Sequence, residues 1–183
     1  MLKKLKPYSK LAKICRERKD IADAVAFGSA VKGKIEPGDI DVCLIFRDII
    51  DSNFVKKLGE MFPNTHISAL TVDNFFRKPH SLAATLLFEG ISILSLKPLA
   101  SVYGLKAFSM YKYELKGMPN LIKVSLLHAL KGRSPKKGLV ADLGGEFTAP
   151  CSFIMPPEKD DEMLKVLAKW QVKYSRKRIL IIS

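Results

Sequence analysis

The chain has 183 residues, of which 48% are hydrophobic, enough for one domain or one and a half with a packed core. No apolar run is long enough to span a bilayer, and the lysines near the start are not followed by an apolar segment. We therefore expect a cytoplasmic protein without a membrane segment or signal peptide. Its three cysteines lie far apart in no metal-binding spacing, which indicates reduced thiols.

The net charge of +13 is distributed unevenly. Residues 1–20 hold eight basic and two acidic residues, and residues 101–140 hold eight basic and one acidic residue, whereas residues 21–100 are nearly neutral. Two basic flanks indicate a polyanionic partner such as RNA or tRNA, although a solvated lysine-rich surface is the alternative. The single Gln and four Asn against 31 Lys and Arg are typical of a thermophile.

The first half of the chain alternates between strand and helix patterns. Leu5–Arg18 has apolar residues at helical spacing and predicts an amphipathic helix. The alternation predicts an α/β (α+β) fold, a mixed sheet covered by helices. Strands are expected at Ile21–Phe27, Asp39–Phe46, His66–Val72 and Ile91–Leu96, and helices at Asp51–Met61, Asp73–Arg77 and His80–Glu89.

The segment between the first two strands carries the polar motif. Gly28 and Ser29 open a loop or short helix extending to Lys34, where a glycine lets the backbone approach a phosphate closely. Asp39 and Asp41 begin the second strand and should share one face, because residues i and i+2 of a strand point the same way. Two carboxylates so placed repel each other, and a hard divalent cation such as Mg²⁺ removes that repulsion.

This motif resembles the signature of the DNA polymerase β-like nucleotidyltransferases in their minimal form. The matching residues are Gly28, Ser29, Gly33, Asp39 and Asp41. The resemblance implies that an NMP passes from an NTP to an acceptor hydroxyl. The implied catalytic and metal-binding residues, for Mg²⁺ or Mn²⁺, are Asp39 and Asp41, and the implied NTP-binding residues are Gly28, Ser29, Gly33 and Lys32.

The chain departs from the family at the third carboxylate, which usually stands on the neighbouring strand. The strand His66–Val72 has no Asp or Glu, and His66 and Ser68 occupy that place. His66 is either a metal ligand or base, or an ordinary half-buried strand histidine, and Asp73 is expected to cap the following helix. Two interpretations stay open: an Mg²⁺-dependent enzyme, or a degenerate relative that binds a nucleotide or RNA without chemistry.

Residues 98–183 are expected to form a small basic α+β module, after a nucleotidyltransferase core over residues 1–97. Tyr111 and Tyr113 share a strand face and serve either as core or as a platform for bases. The module is expected to bind the acceptor or to form a homodimer, and the resemblance adds a small protein as a further partner. Its expected elements are a helical turn at Leu99–Gly104, a strand at Phe108–Leu115, a helix at Pro119–Lys131, a basic loop at 133–138, a hairpin of Leu139–Leu143 with Glu146–Met155, a helix at Glu158–Tyr174 and a strand at Ile179–Ile182.

Overall fold

The computed structural model describes residues 6–28, 31, 40–77 and 81–182. The chain divides into two compact units, Met1–Leu105 and Lys106–Ser183. The sequence placed its boundary at residue 98, and the roles assigned to the two parts remain predictions. None of the described helices is long and apolar enough to cross a membrane.

A mixed four-stranded sheet forms the centre of the first unit, as the sequence predicted. Strand order is β3-β2-β1-β4, with β2 antiparallel to β1 and parallel to β3. The elements of this unit are α1 (Lys6–Arg16), β1 (Ile21–Phe27), β2 (Ile40–Phe46), α2 (Ser52–Met61), β3 (Thr65–Thr71), α3 (Val72–Phe76), α4 (Ser81–Glu89), β4 (Ile91–Ser92) and α5 (Leu99–Val102).

The two central strands are buried on both faces, which explains their continuous apolar sequences. Ala24 and Ala26 of β1 pack in one cluster with residues of α1 and α2. Val25, between them, packs in a second cluster with residues of α3, α4 and α5. Successive side chains of a strand point to opposite faces, so helices cover both sides of the sheet.

Two local predictions in this unit were wrong. The strand expected at Ile91–Leu96 ends at Ser92, because the chain turns there: the amide of Leu96 donates to the carbonyl of Ser92 and Leu96 has a φ of 59°. Asp73 does not cap α3. The hydroxyl of Thr71 accepts from the amide of Asn74 instead, and Asp73 pairs with Arg77 one turn later.

The second unit is an α+β module built on another four-stranded sheet. Strand order is β10-β5-β9-β8, and Tyr111 and Tyr113 are fully buried, with Tyr111 stacked on Phe153 at 5.1 Å between ring centroids. These aromatic rings are therefore core. The elements are β5 (Leu105–Glu114), α6 (Asn120–Lys131), β6 (Gly132–Arg133), β7 (Lys136–Lys137), α7 (Leu139–Asp142), β8 (Glu146–Ala149), β9 (Ser152–Met155), α8 (Asp160–Lys169) and β10 (Lys173–Ile182).

Several predicted elements of this unit differ from the structure. The basic loop expected at 133–138 falls on β6 and β7, which pair as an antiparallel hairpin. The final strand expected at Ile179–Ile182 begins at Lys173, and its first half was missed because exposed basic residues show no apolar alternation. Leu139–Leu143 was expected to be a strand, but α7 is helical, and β8 pairs with β9 instead. The helix expected over Glu158–Tyr174 is shorter. Gln171 has a φ of 53°, which turns the chain after α8 into the long final strand.

A buried carboxylate joins three elements of the second unit. Asp160, at the start of α8, is only 9% exposed and accepts hydrogen bonds from the hydroxyls of Ser109 and Tyr111, each at 2.7 Å. Arg176 of β10 donates to the same carboxylate at 3.1 Å. The charge of Asp160 is thus fully partnered, which is the condition for burying it without a large penalty.

Candidate active site

Gly28 and Asp41 face each other where β1 ends and β2 begins. Gly28 has a φ of 74°, and a Cβ atom on it would lie 2.5 Å from Oδ2 of Asp41. Two reasons favour glycine at this position: other residues are strained at this φ, and any side chain would displace the carboxylate. The backbone after β1 therefore lies directly against a carboxylate.

Asp41 is the one residue of β2 that is not buried. It pairs with Phe27 of β1 and with His66 of β3, so it lies between the two neighbouring strands. Its side chain is 33% exposed. Ile40, which precedes it, is buried at 8%, as the alternation of a strand requires.

His66 stands at the strand position where the sequence lacks a third acid. Its Nδ1 lies 3.7 Å from Oδ1 of Asp41, too far for a hydrogen bond, and its side chain is 74% exposed. Ser68 is two pairs further along, opposite Cys43, and its hydroxyl donates to the carbonyl of Val42. Of the two candidates, His66 is thus the one beside Asp41.

Four residues of the sequence motif lie outside the part of the chain that the structure describes. They are Ser29, Lys32, Gly33 and Asp39. The loop and short helix expected over 29–34 falls there as well, except for Val31. Gly28 and Asp41 are the motif residues whose positions are known, and the others remain predictions.

A match to a known family covers the region of the candidate site. Residues 8–66, less than half of the chain, match the nucleotidyltransferase domain family. The match runs from α1 to the first residues of β3 and includes both Gly28 and Asp41, and the mixed sheet agrees with it. This region is therefore the part of the chain in which its chemistry is to be sought.

Similarity to other proteins is otherwise remote. One chain of a solved complex of tri-AMPylated Shewanella oneidensis HEPN toxin with MNT antitoxin is 16% identical, with a TM-score of 0.33; the similarity covers 48% of this chain and 68% of that one. No curated protein shows significant similarity to the sequence.

Sequence patterns did not single out Tyr8 as a neighbour of the candidate site. It lies on α1 and is 3% exposed, and its hydroxyl has no hydrogen-bond partner among the described residues. Burial raises the pKa of Tyr8 to about 12, and the nearby charge of Asp41 contributes to the rise. The helical spacing of α1 marked Tyr8 only as core, because spacing does not reveal which charge a hydroxyl faces.

A buried carboxylate elsewhere in the first unit belongs to its framework. Asp23, on β1, is 8% exposed and accepts from the amide of Ala24 at 2.7 Å and from the hydroxyl of Ser92 at 2.8 Å. Burial raises the pKa of Asp23. Asp23 pairs with Ile45, near the other end of β2, so it stands apart from Asp41.

The chemistry of the site fits a hard divalent cation. Asp41 offers partly exposed carboxylate oxygens, and no described group donates a hydrogen bond to them, so they are available to a metal. Within the described ranges, no group of three or more His, Cys, Asp or Glu side chains could hold a metal ion. The sequence motif predicts Asp39, which lies outside the described residues, as the second ligand beside Asp41.

Proposed function

We propose that the chain is an Mg²⁺-dependent nucleotidyltransferase that moves an NMP from an NTP to a hydroxyl group. The observation that carries the proposal is the approach of Gly28 to Asp41, which brings a glycine backbone and a carboxylate together within the region that matches the nucleotidyltransferase domain family. In this proposal Asp41 and Asp39 hold the metal, while Gly28, Ser29, Lys32 and Gly33 line the phosphates.

The reaction is an in-line displacement at phosphorus. The acceptor oxygen forms a bond to the α-phosphorus, the bond from that phosphorus to the bridging oxygen of the β-phosphate breaks, and pyrophosphate leaves. The proton of the acceptor hydroxyl passes to solvent. When bound, the cation neutralises charge on the phosphate oxygens. The chain's own residues position the groups: Gly28 gives the phosphates access to the backbone, and Asp41, near the start of β2, would hold the metal.

A non-catalytic nucleotide-binding module is the second candidate. It is favoured by β3, which carries no Asp or Glu and presents His66 opposite Asp41. Without a third acid, a second metal and a deprotonated acceptor depend on substrate or water. We favour the enzyme, because substrate and water oxygens can complete a metal site that begins with two carboxylates.

The acceptor in this proposal is RNA or tRNA. The strongly basic segment between residues 101 and 140 supports a polyanion, since charges of one sign attract the opposite sign over long distances. A protein acceptor, such as a small protein partner, rests on the family resemblance alone.

The decisive experiment needs no acceptor. Each of the four NTPs is titrated by calorimetry with and without Mg²⁺ against the wild type, Asp41→Asn and the Asp39→Asn, Asp41→Asn double variant. We expect metal-dependent binding of at least one NTP to the wild type and its loss in both variants, because an amide is a poor ligand for Mg²⁺.

Asp48→Asn is the matched control. It makes the same change just after the opposite end of β2, on an exposed residue, and should bind NTPs like the wild type. Equal binding by all variants would refute the assigned site. Metal-dependent binding with no incorporation of label from α-labelled NTPs into any RNA or protein acceptor would favour the non-catalytic module.

A further inference from the structure

The second unit carries a cationic surface cavity at the end of α6. It is lined by Ser125 and His128 of the helix and by Arg133, Lys136 and Lys137 of the β6–β7 hairpin that follows. Between Leu115 and Ala141 the sequence has six basic and no acidic residues. The cavity is therefore a shallow, open depression with charge of one sign.

The hairpin forces two of these cations together. Arg133 and Lys136 are direct partners across the antiparallel pair, so their side chains leave the same face. Like charges placed directly opposite each other destabilise a pair of strands. In the described part of the chain neither residue forms an ion pair with a carboxylate. A bound anion would relieve this repulsion.

His128 holds the arginine in place. Nε of Arg133 donates to Nδ1 of His128 at 3.0 Å. A guanidinium is always a donor, so Nδ1 is unprotonated and the proton of the neutral imidazole is on Nε2. Arg133 keeps its remaining N–H groups, and His128 keeps its Nε2–H, as donors for a ligand.

More positive charge lies near the cavity than is needed to balance the negative end of the α6 dipole. The carboxyl end of α6 carries about half a negative charge, which favours cations in its last turn. Lys131 already lies in that turn, and its ammonium sits 5.1 Å from the ring centroid of Phe147. Arg133, Lys136 and Lys137 come after the helix, and their three positive charges outweigh its dipole.

We propose that this cavity binds the phosphodiester backbone of a nucleic acid. A phosphate oxygen accepts several N–H donors at once, and a guanidinium beside an ammonium matches that need. The cavity lining contains no Phe, Tyr or Trp, and the imidazole of His128 is hydrogen-bonded to Arg133, so the site is suited to backbone charge and not to sequence. That this nucleic acid is the acceptor rests on the proposed function, whereas the binding itself does not.

The test measures binding of the full-length protein to a fluorescently labelled single-stranded RNA by anisotropy over a series of KCl concentrations, without NTP or Mg²⁺. Three phosphate contacts predict that log K falls with log[KCl] with a slope of about −2. In Arg133→Gln, Lys136→Gln the slope should shrink to about −0.7, with roughly tenfold weaker binding at moderate salt. DNA of the same sequence is titrated in parallel to show whether the cavity prefers the RNA or the DNA backbone.

Lys165→Gln, Lys169→Gln is the control, because it removes two exposed positive charges from α8 of the same unit. Its binding should change less than about twofold, as expected for charges that contact no phosphate. Equal loss in both double variants, no RNA binding by the wild type at low salt, or equally good competition by poly-glutamate would each overturn the proposal, the last in favour of an acidic protein. RNA binding retained in Asp41→Asn would uphold it even if no NTP binds.

Discussion

Gly28 leaves no room for a side chain in front of Asp41. Gly28→Ala would place a methyl carbon 2.5 Å from Oδ2 and would strain the backbone by about 1–2 kcal/mol at a φ of 74°. We expect Asp41 to move and metal-dependent NTP binding to weaken at least about tenfold, the equivalent of about 1.4 kcal/mol, as measured by calorimetry.

Gly104→Ala separates the two effects of this change. Gly104 lies in the same unit with a φ of 70°, but a Cβ atom there would meet nothing within 4 Å. The control should lose a similar amount of stability in denaturant titrations and should keep NTP binding. If Gly28→Ala also kept it, the approach to Asp41 would have no role in binding.

His66→Asp tests whether a third carboxylate is the missing part. The new acid would lie directly opposite Asp41. In the absence of metal we expect a loss of stability of up to about 1 kcal/mol from like charges across the strands. Adding Mg²⁺ should raise the Tm of this variant more than that of the wild type, and any transfer rate should increase.

The control for this prediction is Thr65→Asp, which adds the same charge on the opposite face, next to Ile40. Its Tm should respond to Mg²⁺ no more than the wild type does. A similar response of both variants would mean that Mg²⁺ acts on general surface charge.

Asp160→Ala should destabilise the second unit strongly. The change leaves the buried hydroxyls of Ser109 and Tyr111 without their acceptor and Arg176 without its partner, for an expected loss of about 3–5 kcal/mol. Trp170 is the single tryptophan and belongs to this unit, so its fluorescence reports unfolding in denaturant. Asp161→Ala, on the exposed side of the same helix turn, should change stability by less than about 1 kcal/mol. Similar losses in both variants would show that the buried network is not what holds the unit together.

Two buried thiols should make the stability of the protein depend on pH in the alkaline range. Burial raises the pKa of Cys15 and of Cys43 from 9.0 to about 11. As the pH rises, the unfolded state loses these protons first, so the contribution of each thiol is complete below pH 9 and is lost as the pH approaches 11. Between pH 9 and 10 each thiol should lower the free energy of unfolding by about 1 kcal/mol.

The measurement is urea unfolding followed by far-ultraviolet circular dichroism at pH 8, 9 and 10. Cys15→Ala, Cys43→Ala should be less stable at pH 8, because it leaves cavities, but its stability should change less between pH 9 and 10. An identical pH dependence of the variant and the wild type would assign the alkaline loss to other groups.

The central strands were predicted well because strands that are buried on both faces have continuous apolar sequences. The bounds of β1 were correct, and β2 agrees with the expected strand over Ile40–Phe46, while Asp39 lies outside the described residues. α7 was mistaken for a strand because a short apolar segment has the same composition in either form. The first half of β10 was missed because its exposed, basic residues show no alternation, and its place is fixed by pairing with β5, far away in sequence.

Similar reasons limit what could be predicted of the site. The spacing of the motif placed Gly28 and Asp41 near each other. Gly28 follows β1 and Asp41 lies in β2, and these two strands are consecutive in the sequence and pair with each other. Tyr8 lies 33 positions before Asp41 and could not be linked to it, since only tertiary packing of α1 brings a buried hydroxyl within reach of that charge. The pairing of His66 with Asp41 likewise depends on the register of a parallel pair, which no local pattern encodes.

Asp41, the one partly exposed residue of β2, also affects how the chain folds. If β2 slipped by one residue against its neighbours, Asp41 would turn inward among apolar side chains and Ile40 would turn outward. Burying an unpaired carboxylate costs far more than one hydrophobic contact returns. The acid proposed for chemistry thereby selects one alignment of the sheet during folding, so replacing it with an apolar residue would remove a safeguard against misfolded forms as well as a ligand.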